Sequence, residues 1–244
     1  MPQNNRLTLD QRVDDLVTSF DRYLARFRDA RIFTGPSVYF HHRTLERLRC
    51  HRSPSEAIQD SAFVESLYAM LAAWGMHRMG PMGAKLSNFE IISSNFARQV
   101  DAVKKHETKK LAEVSAEELP AITGTLWNII SGLKISASQT QIVAGSKALH
   151  HIVPDLVPPI DREYTIQFVY GYKRNTPSQA EFARILATFH TVANSLGQHL
   201  EDIVRTCRDD RSQMDTSATK LIDNAIVGYA LLHPYAVQPP TDPK

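Results

Sequence analysis

The sequence predicts an all-α protein, a two-lobed helical bundle with a cleft between the lobes. Three observations carry that expectation. Apolar residues recur at helical spacing through nearly the whole chain. Helix-start signals, with proline at the first helical position or a reciprocal capping pair, precede several of those stripes. No segment alternates apolar and polar residues between hairpin turns, so a β-sheet has no evident source.

Val13, Leu16, Val17, Phe20, Leu24 and Phe27 fall on one stripe, opened by a capping box of Thr8 and Gln11. Gly35-Pro36 breaks the pattern ahead of a basic stretch, Tyr39 to Arg52. Ser53-Pro54-Ser55-Glu56 starts a helix with an apolar face of Ile58, Ala62, Val64, Leu67, Tyr68 and Leu71. Trp74 to Gly83, WGMHRMGPMG, reads as a loop, because its glycines and proline oppose helix continuation. Phe89, Ile92, Phe96, Val100 and Val103 mark the next helix, and Ile122, Leu126, Ile129 and Leu133 another. Thr176-Pro177-Ser178-Gln179 repeats the start signal and opens the longest helix, striped from Phe182 to Ile203. Asp215 is expected to cap a last helix through Leu221, Ala225 and Tyr229. The expected organisation is one domain over 1–244, with lobes at 1–119 and 120–232 and a loose proline-rich tail at 233–244.

With 244 residues, 43% of them hydrophobic and 22% charged, the chain is large enough for a real core. No apolar run is long enough to cross a bilayer, and MPQNNRLTLD lacks an apolar signal core. Cys50 and Cys207 form neither a disulfide framework nor a metal motif. These features point to a cytoplasmic protein. A net charge of +2 neither demands nor forbids nucleic acid. The basic clusters at Arg43 to Arg52, Lys104 to Lys110 and Lys173-Arg174 read first as solvated helix faces.

Chemistry concentrates between Ile135 and Phe168, in ISASQTQIVAGSKALHHIVPDLVPPIDREYTIQF. The small and polar SASQTQ ends one helix, and IVAGSKALHHIV forms a compact apolar helix carrying Lys147. Pro154, Pro158 and Pro159 stiffen the return to Asp161, which is placed to cap the next helix. A helix from Lys147 to Val153 rises roughly 10 Å, and the return covers a comparable distance. The two side chains are therefore expected to face each other across one pocket. A lysine on an apolar helix sheds water, which leaves its amine available as a nucleophile. A carboxylate at a helix start stabilises nearby positive charge.

TQIVAGSK followed by VPPIDREYT resembles the lysine–aspartate segment of the helix-hairpin-helix DNA glycosylases, most of all their archaeal 8-oxoguanine branch. The resemblance covers about thirty residues. Its usual hairpin carries two closely spaced glycines where this chain has Gly145 alone, and many members separate lysine and aspartate further. It implies a helix-hairpin-helix element, catalytic roles for Lys147 and Asp161, and no cofactor. It also implies a hairpin grip on a DNA phosphate by Ser136, Ser138, Gln139, Thr140, Gly145 and Ser146, with Arg162 beside it. Trp74, Met76, His77, Tyr39, Gln141 and Tyr164 are the candidates for stacking on and hydrogen-bonding an extruded base. The implied partner is DNA bearing an oxidised purine or a modified phage base, met in the nucleoid by a monomer. The rival function is a non-catalytic helical module that binds nucleic acid or protein.

His41-His42 and His150-His151 do not form a metal motif. Neighbours on a helix point about 100° apart, so one of each pair is expected to pack and the other to be exposed. No nucleophile elbow or phosphate loop is present.

Overall fold

A computed structural model describes residues 7–77, 79–80, 83–138, 140–172, 178–207, 210 and 214–234, with backbone alone at 79–80 and 83–84. The all-α expectation holds: thirteen α-helices and one very small hairpin occupy the described residues. Buried residues from Val13 to Tyr229 form one hydrophobic cluster that draws on both sides of residue 120. Among the described residues, no helix is long and apolar enough to cross a membrane.

The first stripe forms two helices, α1 (Leu9–Thr18) and α2 (Phe20–Ala30), because the backbone turns at Ser19. Thr8 and Gln11 make the expected capping box. The basic stretch after Gly35 is itself a helix, α3 (Pro36–Arg49), for which Pro36 supplies a pre-set first residue. Ser53 caps only a single turn, α4 (Pro54–Ala57); Asp60 then accepts from the Ala62 N–H and starts α5 (Ser61–Leu71) afresh. Similarly, Gln99 separates α6 (Phe89–Arg98) from α7 (Val100–Lys104). In each case an apolar stripe continued across a bend, since burial depends on which face points inward and not on an unbroken ladder.

The described part of the glycine-rich segment carries regular secondary structure where a loop was expected. Residues Ala72–Met76 continue α5 as a π-helical turn that ends where Gly75 adopts φ +75°. A two-residue antiparallel hairpin follows, β1 (Met79–Gly80) with β2 (Gly83–Ala84). A strand this short leaves almost no period-2 signature to read.

Helices α8 (Leu119–Leu133) and α9 (Ile142–His150) pack together, joined by the segment 134–141. Gly145 permits the contact: a Cβ there would lie 2.7 Å from Ile130 Cγ2 and 3.1 Å from the Ile130 carbonyl oxygen. Turns lead to α10 (Thr165–Tyr170). The buried Arg12 guanidinium donates to the carbonyls of Phe168 and Val169 at the far end of α10, at 2.6 and 3.2 Å.

The longest helix, α11 (Gln179–Leu196), is capped by Ser178 with Glu181; Thr176, where the sequence start signal began, lies outside the described residues. Gly197 at φ +49° ends it and releases α12 (Gln198–Cys207), so the stripe to Ile203 spans two helices. The last helix, α13 (Ala218–Leu232), is capped by Ser217. Asp215 instead pairs with Arg28 at 2.7 Å and accepts from Asn224 at 2.7 Å, because a fully buried carboxylate needs a charge partner. Helix α13 makes its most extensive contact with α2, across Gly228 and the Tyr23 backbone. Most of the tail expected to be loose, 235–244, lies outside the described residues.

Candidate functional site

Lys147 Nζ and Asp161 Oδ2 stand 3.4 Å apart. Their convergence has a local cause one residue upstream. The buried Ser146 hydroxyl accepts the Ile160 N–H at 3.1 Å, which clamps α9 to the proline-bearing return. With 146 pinned to 160, residues 147 and 161 emerge side by side. The lysine side chain is 9% exposed and the carboxylate 31%, so the pair is dry at its root and open at its tip. Asp161 Oδ1 accepts the Glu163 N–H at 2.7 Å. This caps a turn at 162–164, and α10 begins only at Thr165, so the expected helix cap is a turn cap.

The pair opens into a cavity of about 480 Å³. Trp74, Gly75 and Met76 of the π-helical turn form one wall, and Lys85 with Leu86 forms another. Ser136, Ser138, Thr140 and Arg162 make a polar rim. Rim hydroxyls are chained: Ser136 to Ser138 at 2.8 Å, Ser138 to Thr140 at 2.9 Å, and Arg162 Nη2 donating to Thr140 at 3.4 Å. The 134–141 segment is held against residues 85–87, with Ala137 N–H donating to Lys85 O and Ser87 N–H to Ile135 O.

Other expected site residues lie elsewhere. Gln141 spends its amide inside its own segment, accepting from Ser136 N–H and donating to the carbonyls of Ser136 and Ser138. Gly145 lies inside α9 against Ile130, with its N–H donated to the Gln141 carbonyl at 2.7 Å, and Ser146 is buried with its hydroxyl on Ile160 N–H. Tyr39 is 63% exposed and lines a separate groove with Val38, His42, Arg43 and Glu46. His77 is exposed just past the turn, and Tyr164 is half-buried against the core; neither lines the cavity. Burial, then the Asp161 charge, raises the Tyr164 phenol above its ordinary pKa. Gln139 lies outside the described residues.

Sequence reasoning missed what stands behind Trp74. His41, His150 and His151 are all fully buried, which corrects the expectation that one of His150-His151 is exposed; His42 is half-buried. His41 stacks on Trp74 with ring centroids 5.5 Å apart. The Lys147 carbonyl, which can only accept, receives a bond from His151 Nδ1 at 2.8 Å. His151 Nε2 therefore accepts from His41 Nδ1 at 2.9 Å, and His41 Nε2 accepts from the Thr216 hydroxyl at 2.8 Å. This directed chain uses neutral imidazoles throughout. Burial, reinforced by neighbouring histidines, holds His41 and His150 well below the usual histidine pKa. His151 is lowered to about 3, chiefly by burial. Lys220 on α13 is equally hidden, paired with Asp223 at 2.6 Å and 5.5 Å from the Trp74 ring centroid. The adjacent histidine doublets were the available signal, but only tertiary packing brings them together.

Among the described residues, no group of three or more His, Cys, Asp or Glu side chains is arranged to hold a metal ion. Comparisons with protein-family models, with curated proteins and with solved structures return no match.

Proposed function

We propose that this chain is a DNA glycosylase with associated lyase activity, acting on a damaged or modified base. The observation that carries the reading is the 3.4 Å approach of Lys147 and Asp161 at the mouth of a cavity walled by Trp74. A glycosidic bond inside a base stack is out of reach, so the target nucleotide must be turned out of the duplex. The cavity volume suits one such base, with Trp74 and Met76 offering apolar surface to it. Ser136, Ser138, Thr140 and Arg162 then meet the flanking backbone, where hydroxyl and guanidinium donors suit phosphate oxygens.

As the C1′–N bond lengthens, the sugar gains oxocarbenium character, and the Asp161 carboxylate stabilises that charge. The Lys147 amine, once deprotonated, bonds C1′ as the base leaves with the glycosidic electron pair and takes up a proton. Ring opening gives a Schiff base. Loss of a C2′ proton then expels the 3′ phosphate, and water releases the enzyme. The Trp74 ring, 5.6 Å from Nζ, supports the ammonium when the amine is charged. The substrate class is an oxidised purine, which makes the role repair, or a modified base of phage DNA, which makes it defence.

Borohydride trapping and mass spectrometry of released bases test the reading. The DNA panel comprises oxidised, deaminated and alkylated duplexes and genomes of unmodified and heavily modified phages. Release of one base class is expected, with a covalent adduct lost in Lys147→Ala and release abolished in Asp161→Asn. No release across the panel refutes the enzyme and leaves a helical binding module.

A further inference from the structure

Behind the Lys147–Asp161 pair lies a second lysine–aspartate pair that the proposed reaction does not use. Lys220 and Asp223 are neighbours on one face of α13, 2% and 5% exposed, with Nζ 2.6 Å from Oδ2. Phe27, Phe33 and Trp74 surround the ammonium, their ring centroids 5.9, 5.6 and 5.5 Å from Nζ. Stability alone is a poor reason for such a pair, since desolvating two charges costs about what their attraction returns.

Its connection to the site is specific. Asp223 Oδ1 accepts the Thr165 hydroxyl at 3.3 Å, and the same oxygen of Thr165 accepts the Asp161 N–H at 3.2 Å. Thr165 is fully buried, so its one donor and its acceptor role are both committed. The Asp161 carbonyl accepts the Ile166 N–H at 3.0 Å. The backbone of Asp161 is thereby held on both sides, while the Glu163 N–H fixes its side-chain rotamer. Neither Lys220 nor Asp223 lines the cavity.

We propose that Lys220 and Asp223 are positioning residues that aim the Asp161 carboxylate at the scissile sugar through the Thr165 hydroxyl. This inference rests on the glycosylase reading above. Lys220 fixes the Asp223 carboxylate, Asp223 fixes the Thr165 hydroxyl rotor, and Thr165 fixes the start of the 161–164 turn. A reacting group misplaced by about 1 Å loses up to about 100-fold in rate.

The experiment compares single-turnover base release by the full chain on the DNA panel given above. The variants are Thr165→Ser, Thr165→Val, the charge-free pair Lys220→Met/Asp223→Leu, and the triple combination. Removing both charges together avoids stranding one of them, which keeps the fold testable. Thr165→Ser is expected to stay within about two-fold of wild type, whereas Thr165→Val and the charge-free pair each fall about ten-fold or more. Affinity for the same duplexes lacking the modified base stays within two-fold. The triple variant falls no further than the worse parent, because all three side chains act along one line. If wild type releases a base and these variants keep its rate, or if their losses multiply, the positioning role is overturned while the glycosylase reading stands. If wild type releases none, both fall together.

Discussion

Mild acid should unfold this protein through His41, His150 and His151. All three are fully buried; His151 and His41 are bonded in series, and His150 Nδ1 donates separately to the Val157 carbonyl. Burial lowers each in the fold, His151 to about 3. In the unfolded chain a histidine titrates near about 6.5. Below that value the unfolded state takes up protons that the native state refuses, so unfolding gains free energy. The contribution is therefore complete above about pH 6.5 and is lost as pH falls toward the folded values. At about pH 5 His151 alone has cost the fold about 2 kcal/mol relative to neutral pH. His41 and His150 act in the same direction, so the loss exceeds that of His151 alone. Urea denaturation from about pH 7.5 to about pH 5 measures this directly. His150→Asn keeps a donor for the Val157 carbonyl, which His150 Nδ1 now serves at 2.8 Å, but removes one titrating ring. It is expected to lessen the acid loss measurably. A wild-type loss below about 1 kcal/mol over that range, or an unchanged slope in His150→Asn, refutes the reasoning.

Gly228→Ala puts a methyl 2.7 Å from the Tyr23 carbonyl carbon and 3.2 Å from its Cα, so α2 and α13 must part. Because backbone cannot swing aside, the cost is expected at about 3 kcal/mol or more, and Tm falls by about 6–12 °C. A change under about 2 °C shows the helices free to separate. Arg28→Ala strands the fully buried Asp215 carboxylate and is expected to cost about 3–5 kcal/mol in denaturant titration, while Asn224 alone cannot compensate. Near-neutral behaviour means that Asp215 finds another partner. Ser146→Ala frees the buried Ile160 N–H and is expected to cost about 1–3 kcal/mol. Under the proposed reaction it is also expected to slow base release at unchanged DNA affinity; equal loss of both contradicts the clamp.

What was legible in the sequence followed from burial periodicity and local chemistry. The stripe of Ile122, Leu126, Ile129 and Leu133 marks the inward face of α8. Thr8 with Gln11 starts α1, since a capping box needs only residues three apart. Breaks at Ser19 and Gln99 were not legible, because apolar spacing survives a bend that rotates two helices onto one core. The approach of Lys147 toward Asp161 could be read in outline from helix rise, the clamp that fixes it aside. The site's back wall could not. Lys220, Asp223, Thr165 and His41 come from three distant parts of the chain, and nothing local marks a lysine on α13 as buried. Gln141 and Ser146 misled for the opposite reason: their polarity suggested ligand contact, yet each satisfies backbone groups of its own loop or the facing strand of chain.

The clamp between Ser146 and Ile160 also explains why residue spacing alone is a weak guide to this pair. Lys147 leaves a helix whose position is set by Gly145 against Ile130, and Asp161 leaves a segment tied to that helix one residue earlier. The turns between them, with Pro154 and Pro158, need only close the loop. Their length enters the energy logarithmically and hardly affects the geometry at its ends. The determinants are instead polar and buried: Ser146 to Ile160, His151 to the Lys147 carbonyl, and Thr165 to the Asp161 N–H. Such bonds are worth little when satisfied and cost much when broken, so each permits one arrangement and penalises its neighbours. The Lys147–Asp161 pair is thus held by directional bonds on the dry side and left free on the wet side, the arrangement that the proposed reaction would require.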